Sequence, residues 1–198
     1  MGLLTGARLI ALDTETTGMS PADGSALVEV ASVALENGAP GAEWSSLVRP
    51  GRPIPADAVR VHGITDAMVA DAPEPGAIAG RLRAACGDLP LVLHNAPFDL
   101  PFLAALMQRS GEPPLVNPIV DTLGLARGLF EGGGNSLGAL AARLGLPAQT
   151  AHRALGDART TAHLFLRLAE RWENEREVRS LVELAALSQD VMRLTARR

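Results

Sequence analysis

The sequence predicts an α/β domain built on a mixed β-sheet. Three β-like segments follow one another early in the chain, and short apolar segments then alternate with helical ones, which is the order expected for this class. An Asn37-Gly38 pair, typical of a tight hairpin turn, separates the second and third segments. The length of 198 residues is enough for one domain with a short appendage, and a core of that size needs no disulfides.

Three strands are predicted in the first quarter of the chain. Arg8–Leu12 is a short apolar segment that ends at an aspartate, and Leu27–Leu35 is rich in β-branched valine. Glu43–Val48 follows the hairpin turn, and the proline-rich segment Pro50–Pro55 is predicted to be a loop. These three strands are expected to pair in hairpin-like succession.

Helices and two short strands alternate through the rest of the chain. The predicted helices begin at a proline or a capping residue, or carry apolar residues on one face. They cover Pro75–Cys86, Pro97–Gln108, Thr122–Phe130, a segment from Asn135 or Ser136 to Leu144, and Leu155–Trp172. The strands predicted between them are Leu91–Leu93 and Ile119–Asp121, and Glu131–Gly134 is predicted to be a loop.

The C-terminal segment, residues 173–198, is predicted to be one amphipathic helix appended to a domain that spans residues 1–172. Its apolar residues recur every three or four positions, at Val178, Leu181, Leu184, Leu187, Val191 and Leu194. About two heptads are too few for a typical coiled coil, which favours packing of this helix on its own domain. Contact with a second copy of the chain or with another protein is the alternative.

The charge balance argues against one class of nucleic-acid binder. The chain carries 18 Lys and Arg residues, all of them arginine, against 22 Asp and Glu residues, which leaves a net charge of −4. Aromatic residues make up only 3% of the chain. Tight, non-specific coating of nucleic acid needs a broad cationic surface or many stacking aromatic side chains, so the composition excludes that function.

Three features of the sequence predict a cytoplasmic protein. Cys86 is the only cysteine, so no intramolecular disulfide can form and a reducing compartment is expected. Residues 1–10 lack the long apolar core of a signal peptide. No window approaches about 18 uninterrupted apolar residues, so no membrane span is predicted.

A pair of acids stands at the end of the first predicted strand, in the segment Asp-Thr-Glu-Thr-Thr-Gly of residues 13–18. Side chains two apart on a strand project from the same face, so Asp13 and Glu15 are expected side by side. Their repulsion would be relieved by a cation, and hard divalent ions such as Mg²⁺ or Mn²⁺ prefer carboxylate oxygens. The alternative is an acidic turn beyond a strand. Gly18 would let the backbone approach a ligand closely.

A second segment, His-Asn-Ala-Pro-Phe-Asp of residues 94–99, follows an apolar strand and begins a helix. Asp99 would then lie in the first helical turn, where the helix dipole stabilises a negative charge. It is therefore either an acid at a helix start or a third carboxylate beside a metal. Phe98 would either stack on a base or pack in the core.

A third segment contains His152 and, five residues later, Asp157, beside a predicted helix start. An imidazole with a pKa near neutrality can accept a proton from an attacking water. The alternative is a surface histidine beside an N-terminal acid. Asp121 is a further acid at a strand end, but it precedes Thr122 and an apolar-periodic helix, so N-capping explains it.

In combination and in this order, the three segments resemble the motifs of the DEDDh, or DnaQ-like, family of 3′→5′ exonucleases. The resemblance extends over about residues 8–167 and includes all three motifs, Asp13-x-Glu15-Thr-x-Gly18, His94-Asn95-x₂-Phe98-Asp99 and His152-x₄-Asp157. Within the family, the first motif is most similar to the epsilon-type proofreading exonuclease of bacterial DNA polymerase III and to its free-standing relatives.

The resemblance implies an RNase-H-like fold, with a mixed five-stranded sheet flanked by helices, and a two-metal site. Two divalent ions, Mg²⁺ or Mn²⁺, would be held by Asp13, Glu15, Asp99 and Asp157. His152 would take the proton of the attacking water. The terminal nucleotide would lie against Thr16, Thr17, Gly18, His62 and Phe98, although a structural role for the loop residue His62 is an equal alternative.

The implied activity is 3′→5′ hydrolysis of single-stranded DNA ends, with release of nucleoside 5′-monophosphates. An exoribonuclease of the RNase T kind and a non-catalytic nucleic-acid or partner-binding module on the same fold are the alternatives. The C-terminal helix is the candidate contact for a homodimer or a polymerase partner, although no Gln-, Ser- or Pro-rich linker precedes it, which favours a free-standing enzyme. Since lysine is absent, Arg153 and Arg159 are candidate phosphate contacts.

Overall fold

A five-stranded mixed sheet organises the computed structural model, which describes residues 2–195. The strands are β1 (Arg8–Thr16), β2 (Leu27–Glu36), β3 (Ala39–Leu47), β4 (Leu91–Leu93) and β5 (Ile119–Asp121). They lie in the order β3-β2-β1-β4-β5, in which β1 is antiparallel to β2 and parallel to β4. The sheet confirms the predicted mixed five-stranded architecture.

Helices cover both faces of the sheet. They are α1 (Ala56–His62), α2 (Asp66–Val69), α3 (Pro75–Cys86), α4 (Ala96–Arg109), α5 (Thr122–Leu129), α6 (Leu137–Arg143), α7 (Ala154–Arg176) and α8 (Leu181–Thr195), and a single 3₁₀ turn covers Pro21–Asp23. Leu9 and Ala11 of β1 pack with α5–α8, whereas Ile10 and Leu12 pack with α3 and α4. This two-residue alternation decides which helices each side chain of β1 meets.

Most predicted elements are confirmed, with shifts at their ends. β1 continues four residues beyond the predicted end at Leu12, because its pairing with β2 extends to Thr16, opposite Leu27. The hairpin turn is confirmed, since Asn37 and Gly38 both have positive φ angles of 52° and 78°. The short helices α1 and α2 are absent from the sequence-based prediction, because each is shorter than two turns of apolar periodicity.

The predicted single helix over residues 173–198 is wrong at its start. α7 continues through Arg176 and ends at Glu177, whose backbone is left-handed with φ 55°, before α8 begins at Leu181. The division of the chain into residues 1–172 and 173–198 stays a prediction, and its boundary falls inside α7. Residues 1 and 196–198, and the side chain of Leu194, lie outside the part that the structure describes.

α8 packs on the domain that precedes it, as the sequence favoured. Leu184 and Ser188 are fully buried, and the Ser188 hydroxyl accepts a hydrogen bond of 3.1 Å from the backbone N–H of Asp121. A Cβ atom at Gly124 would lie only 2.0 Å from the Ser188 carbonyl oxygen, so α5 and α8 are in backbone contact there. Across residues 2–195, no helix is both long and apolar enough to cross a membrane.

Gly124→Ala is therefore expected to destabilise the protein by about 1–3 kcal/mol, because the added methyl group forces α8 away from α5. Gly138→Ala is the matched control, since Gly138 is exposed on α6 with no atom within 4 Å of its added Cβ. Chemical denaturation measures both. Equal stability of the two variants would contradict the close contact of α5 and α8.

Candidate active site

Three carboxylates meet at the edge of the sheet where β1 ends. One oxygen each from Asp13, Glu15 and Asp157 lies within 4.8 Å of the others. Asp13 and Glu15 share the face of β1 that α7 covers, and Asp157 is in the first turn of α7. The fully buried residues Ala154 and Ala158 on either side of Asp157 allow α7 to approach the sheet closely.

Asp99 lies beside this cluster and is held from the other face of the sheet. Thr14 alternates with Asp13 and Glu15 along β1, and its hydroxyl donates a hydrogen bond of 2.6 Å to the Asp99 carboxylate on α4. Asp99 is 4% exposed. Its charge is the second largest cause of the raised pKa of Asp13, after burial. The charges of Asp99, Asp157 and Glu15 therefore all act on Asp13.

The acids of this unit resist ionisation. Burial, followed by the charges of Asp99 and Asp157, raises the pKa of Asp13 well above its usual range. Burial and the charge of Asp157 raise the pKa of Glu15 to about 8. Burial raises the pKa of Asp99 to about 7 despite the Thr14 hydrogen bond, and it raises that of Asp157 despite the His152 N–H. The free energy that these groups lose by burial is recovered when a cation is bound among them.

The donor set fits hard divalent cations. Asp13, Glu15 and Asp157 contribute carboxylate oxygens only, and Mg²⁺ and Mn²⁺ prefer such oxygens to nitrogen or sulfur. Burial raises the pKa of all three acids and neighbouring carboxylates raise it further, as expected for an acidic site without a bound cation. The acidic cluster is thus a candidate metal centre.

His152 lies in the turn that leads into α7. Its backbone has a left-handed conformation with φ 56°, and its N–H donates a hydrogen bond of 2.9 Å to the Asp157 carboxylate. The residue is exposed, so the ring is accessible from solvent next to the acidic cluster. The turn therefore places a titratable imidazole at the mouth of the cluster.

The residues after Glu15 form a rigid turn. Thr17 makes two hydrogen bonds with Ala26, from its N–H to the Ala26 oxygen at 2.8 Å and from the Ala26 N–H to its hydroxyl at 3.0 Å. The Thr16 hydroxyl donates to the Gly18 carbonyl at 2.7 Å. A Cβ atom at Gly18 would lie 2.5 Å from the Ser25 hydroxyl oxygen, so packing within the protein already requires this glycine.

His62 and Phe98 are placed differently from each other. His62 is 5% exposed, and its Nδ1 accepts a hydrogen bond of 3.0 Å from the Ile64 N–H. Burial lowers the pKa of the ring, and a backbone hydrogen bond with Thr16 opposes that shift. Phe98 is half-buried, and its ring packs on Phe102 with centroids 5.6 Å apart.

Asp121 is a structural residue, as the sequence predicted. Its carboxylate accepts hydrogen bonds from three backbone N–H groups, at Leu123 (2.9 Å), Asn95 (3.0 Å) and Ala96 (2.9 Å). It thereby caps α5 and also fixes the start of α4. Since Asp99 is in the first turn of α4, Asp121 helps to position it, and the charge of Asp121 also contributes to the raised pKa of Asp99.

Two residues of the site were missed by the sequence analysis. The motif treats Thr14 as a variable position between Asp13 and Glu15, and Glu29 is predicted only to belong to a strand. Glu29 is 4% exposed and lies opposite Glu15, on the face covered by α7. A charged residue inside the otherwise apolar segment Leu27–Leu35 is the signal that would have found it.

The arginines proposed as phosphate contacts are already paired. Arg153 binds Glu29, and Arg159 binds Glu43 through two hydrogen bonds of 2.9 and 2.5 Å. Each guanidinium group therefore faces a carboxylate of the protein itself.

Comparison with known proteins assigns the chain to a family. Residues 10–165 match the family model described as exonuclease. The chain belongs to the exonuclease family. DNA polymerase III subunit epsilon of Pasteurella multocida is 34% identical over 208 aligned positions, which cover 94% of this chain and 82% of that protein. An epsilon-like protein of Rhodobacter capsulatus is 44% identical over 164 residues, but the match covers 80% of this chain and only 23% of that relative.

Solved structures confirm the RNase-H-like fold of this exonuclease. Exonuclease X in complex with 5′ overhanging duplex DNA superimposes with a TM-score of 0.72 at 33% identity, covering 91% of this chain and 99% of that one. E. coli Exonuclease I in complex with a dT13 oligonucleotide has a TM-score of 0.77 at 18% identity, covering 86% of this chain and 43% of that one. The latter similarity is one of fold.

The raised pKa values predict how the stability of the metal-free exonuclease depends on pH. A carboxyl group whose folded pKa exceeds its unfolded value of about 4 binds more protons in the folded state, so stability falls as pH rises from about 4 through the folded pKa. With folded pKa values of about 7 for Asp99 and about 8 for Glu15, the loss extends to about pH 8. Urea denaturation in EDTA at several pH values measures it.

The variant Asp13→Asn is expected to lose stability less steeply over this range, because it removes one charge from the cluster. Asp71→Asn, at an exposed carboxylate in the turn after α2, serves as the control and should retain the slope. Equal slopes for the two variants, or a stability that rises from pH 4 to 8, would show that the cluster does not resist ionisation.

Proposed function

We propose that this exonuclease hydrolyses single-stranded DNA from its 3′ end in a metal-dependent reaction and releases nucleoside 5′-monophosphates. The observation that carries the proposal is the meeting of Asp13, Glu15 and Asp157 within 4.8 Å, beside Asp99 and next to a solvent-accessible His152. A cluster of acids repels a phosphodiester unless cations are present, whereas a cluster that holds cations attracts one. The acids and the histidine together therefore favour phosphodiester hydrolysis.

The residues that would hold the metal ions are Asp13, Glu15, Asp99 and Asp157. Two Mg²⁺ or Mn²⁺ ions bound there would supply the positive charge that stabilises the attacking and leaving oxygens of the phosphodiester. Asp13 is the natural centre of the set, because the charges of Asp99, Asp157 and Glu15 all act on it. The Thr14 hydroxyl keeps one Asp99 oxygen oriented through its hydrogen bond of 2.6 Å.

His152 acts as the general base in this proposal. It accepts the proton of the water that attacks the terminal phosphorus, and its exposure allows that proton to leave to solvent. The hydrogen bond from its N–H to Asp157 ties the position of the imidazole to a carboxylate of the cluster. The backbone that carries the base therefore keeps a fixed position relative to Asp157.

The terminal nucleotide is proposed to lie against the turn after β1. Thr16, Thr17 and Gly18 offer a rigid backbone surface there, because their side chains and Ala26 hold the turn. His62 is proposed to line the same site, since its ring is held there by the Ile64 N–H and by a backbone hydrogen bond with Thr16. The half-buried ring of Phe98 can stack on the terminal base.

The cellular context is proposed from the relatives and from α8. Relatives named DNA polymerase III subunit epsilon favour a role in proofreading during DNA replication or in DNA repair. α8 uses Leu184 for packing on its own domain, whereas Val182 on the same helix is 82% exposed. A homodimer or polymerase contact through the C-terminal helix would use this exposed side, and a free-standing enzyme remains the form that we favour.

The proposal predicts a specific product and a specific loss. With Mg²⁺ or Mn²⁺, the protein should shorten 5′-labelled single-stranded DNA one nucleotide at a time and release 5′-mononucleotides. His152→Ala should keep metal binding and lose about 10²–10⁴-fold in kcat, as expected for removal of a general base. Asp99→Ala should remove activity, and Asp71→Asn should leave it unchanged. Chromatography of the products and gel analysis of the labelled strand measure both.

Four outcomes would contradict the proposal. Faster hydrolysis of RNA than of DNA would favour the exoribonuclease alternative. No shortening of either substrate, or equal shortening by Asp99→Ala, would favour a non-catalytic binding module. A near-normal rate for His152→Ala would remove His152 from the role of base.

A further inference from the structure

Glu29 is a buried carboxylate that the proposed reaction does not use. It lies on β2 opposite Glu15 and is 4% exposed. Its charge also raises the pKa values of Asp13, Glu15 and Asp157, so its position makes the acidic cluster harder to ionise. Burying a charged carboxylate beside other acids lowers the free energy of unfolding. Favourable contacts of Glu29 must offset this loss, or Glu29 must serve a function.

Three donors from the start of α7 converge on Glu29. The Arg153 guanidinium donates from Nη2 to Oε1 at 2.7 Å and from Nε to Oε2 at 3.1 Å. The backbone N–H of Ala154 donates to Oε2 at 2.9 Å. The last contact satisfies an N–H of the first helical turn that has no acceptor within the helix, so a residue of β2 caps α7. A two-point arginine–carboxylate pair also fixes the direction of the guanidinium plane.

These contacts hold the two residues that flank the proposed chemistry. Arg153 and Ala154 directly follow His152, whose left-handed backbone donates to Asp157 on the other side of the same turn. The turn is closely packed, since a Cβ atom at Gly156 would lie 2.0 Å from the carbonyl oxygen of Thr150. The segment that carries His152 is therefore held by Glu29 at one side and by Asp157 at the other.

We propose that Glu29, through Arg153 and the Ala154 N–H, is a positioning residue for His152. It fixes the start of α7 so that the imidazole stays in one place relative to the acidic cluster. The proposal rests on the proposed function, in which His152 is the base. Both oxygens of Glu29 are occupied by hydrogen-bond donors, so it acts through the turn and not as a further ligand for a cation.

A second arginine–glutamate pair provides a matched control. Arg159, also on α7, donates to Glu43 of β3 through Nε at 2.9 Å and Nη2 at 2.5 Å. This pair likewise joins α7 to the sheet in a two-point geometry, but its hydrogen bonds run between Arg159 and Glu43 and not to the His152 turn. Glu43→Gln therefore removes an ion pair between α7 and the sheet but leaves the contacts at the His152 turn in place.

The experiment compares steady-state kinetics of Glu29→Gln, Glu43→Gln, His152→Ala and the double variant Glu29→Gln/His152→Ala on single-stranded DNA. Glutamine keeps the size of the side chain and an acceptor for Ala154, but it loses the charge that orients Arg153. Glu29→Gln should lower kcat by about 10- to 100-fold, as misplacement of a catalytic group does, while KM stays within about twofold. Glu43→Gln should keep kcat within about twofold of wild type.

The double variant separates a positioning role from a structural one. If Glu29 acts through His152, its substitution should change the residual rate of His152→Ala by less than about twofold, because residues that act as a unit are not additive. Additive losses in the double variant, or equal losses in Glu29→Gln and Glu43→Gln, would overturn the proposal. A normal rate for His152→Ala alone would instead refute the proposed base, so the two failures are distinguishable.

Arg153→Lys keeps the proposal testable if Glu29→Gln does not fold. Lysine retains the positive charge at this half-exposed position but cannot make the two-point contact. Arg153→Lys should lower kcat about 10-fold or more with unchanged KM. The same substitution in the His152→Ala background should leave kcat unchanged. A wild-type kcat for Arg153→Lys would show that the geometry of the pair does not reach the imidazole.

Discussion

The mutual repulsion of buried carboxylates at the end of β1 is the constraint on which the site depends. Asp13 and Glu15 share one face of β1, Asp157 approaches that face from α7, and Glu29 lies beside them on β2. Burial and these charges raise the pKa values of the acids. The assembly is held by apolar contacts of α7 with the sheet, in which Ala158, Ala162 and Phe165 are fully buried. Packing thus maintains a geometry that electrostatics opposes.

Arginine placement follows from the same constraint. The protein uses Glu29 to orient the arginine next to His152 and Glu43 to orient the arginine beyond Asp157, so a carboxylate already offsets the charge of each guanidinium group. A chain with a net charge of −4 then attracts a polyanion mainly where cations occupy its acidic cluster. Such an enzyme would hold a few terminal nucleotides and would not coat long strands. The acidic composition is compatible with a nucleic-acid substrate for this reason.

The sequence predicts the fold and the proximity of Asp13 to Glu15, because both depend on local patterns. Alternation along β1 predicts that Asp13 and Glu15 are neighbours, and capping chemistry predicts the structural role of Asp121. Glu29 was missed because its importance depends on Arg153, which is 124 residues away in the chain. The break at Glu177 was missed because the apolar periodicity of the last segment already begins at Val178, inside the link between α7 and α8. The spacing of apolar residues along the chain does not reveal which distant residues pair or where the backbone turns.

If the buried carboxylates that repel one another form the metal centre, metal binding should release protons. Calorimetric titration of the protein with Mn²⁺ at pH 7, in buffers of different ionisation enthalpy, counts the protons that leave as the ions bind. Two bound ions and a net release of protons are expected, because Glu15 with a pKa of about 8 and Asp99 with a pKa of about 7 are partly protonated before binding. Binding without proton release, or no binding, would contradict the claim that a repelling cluster of buried carboxylates forms the metal centre.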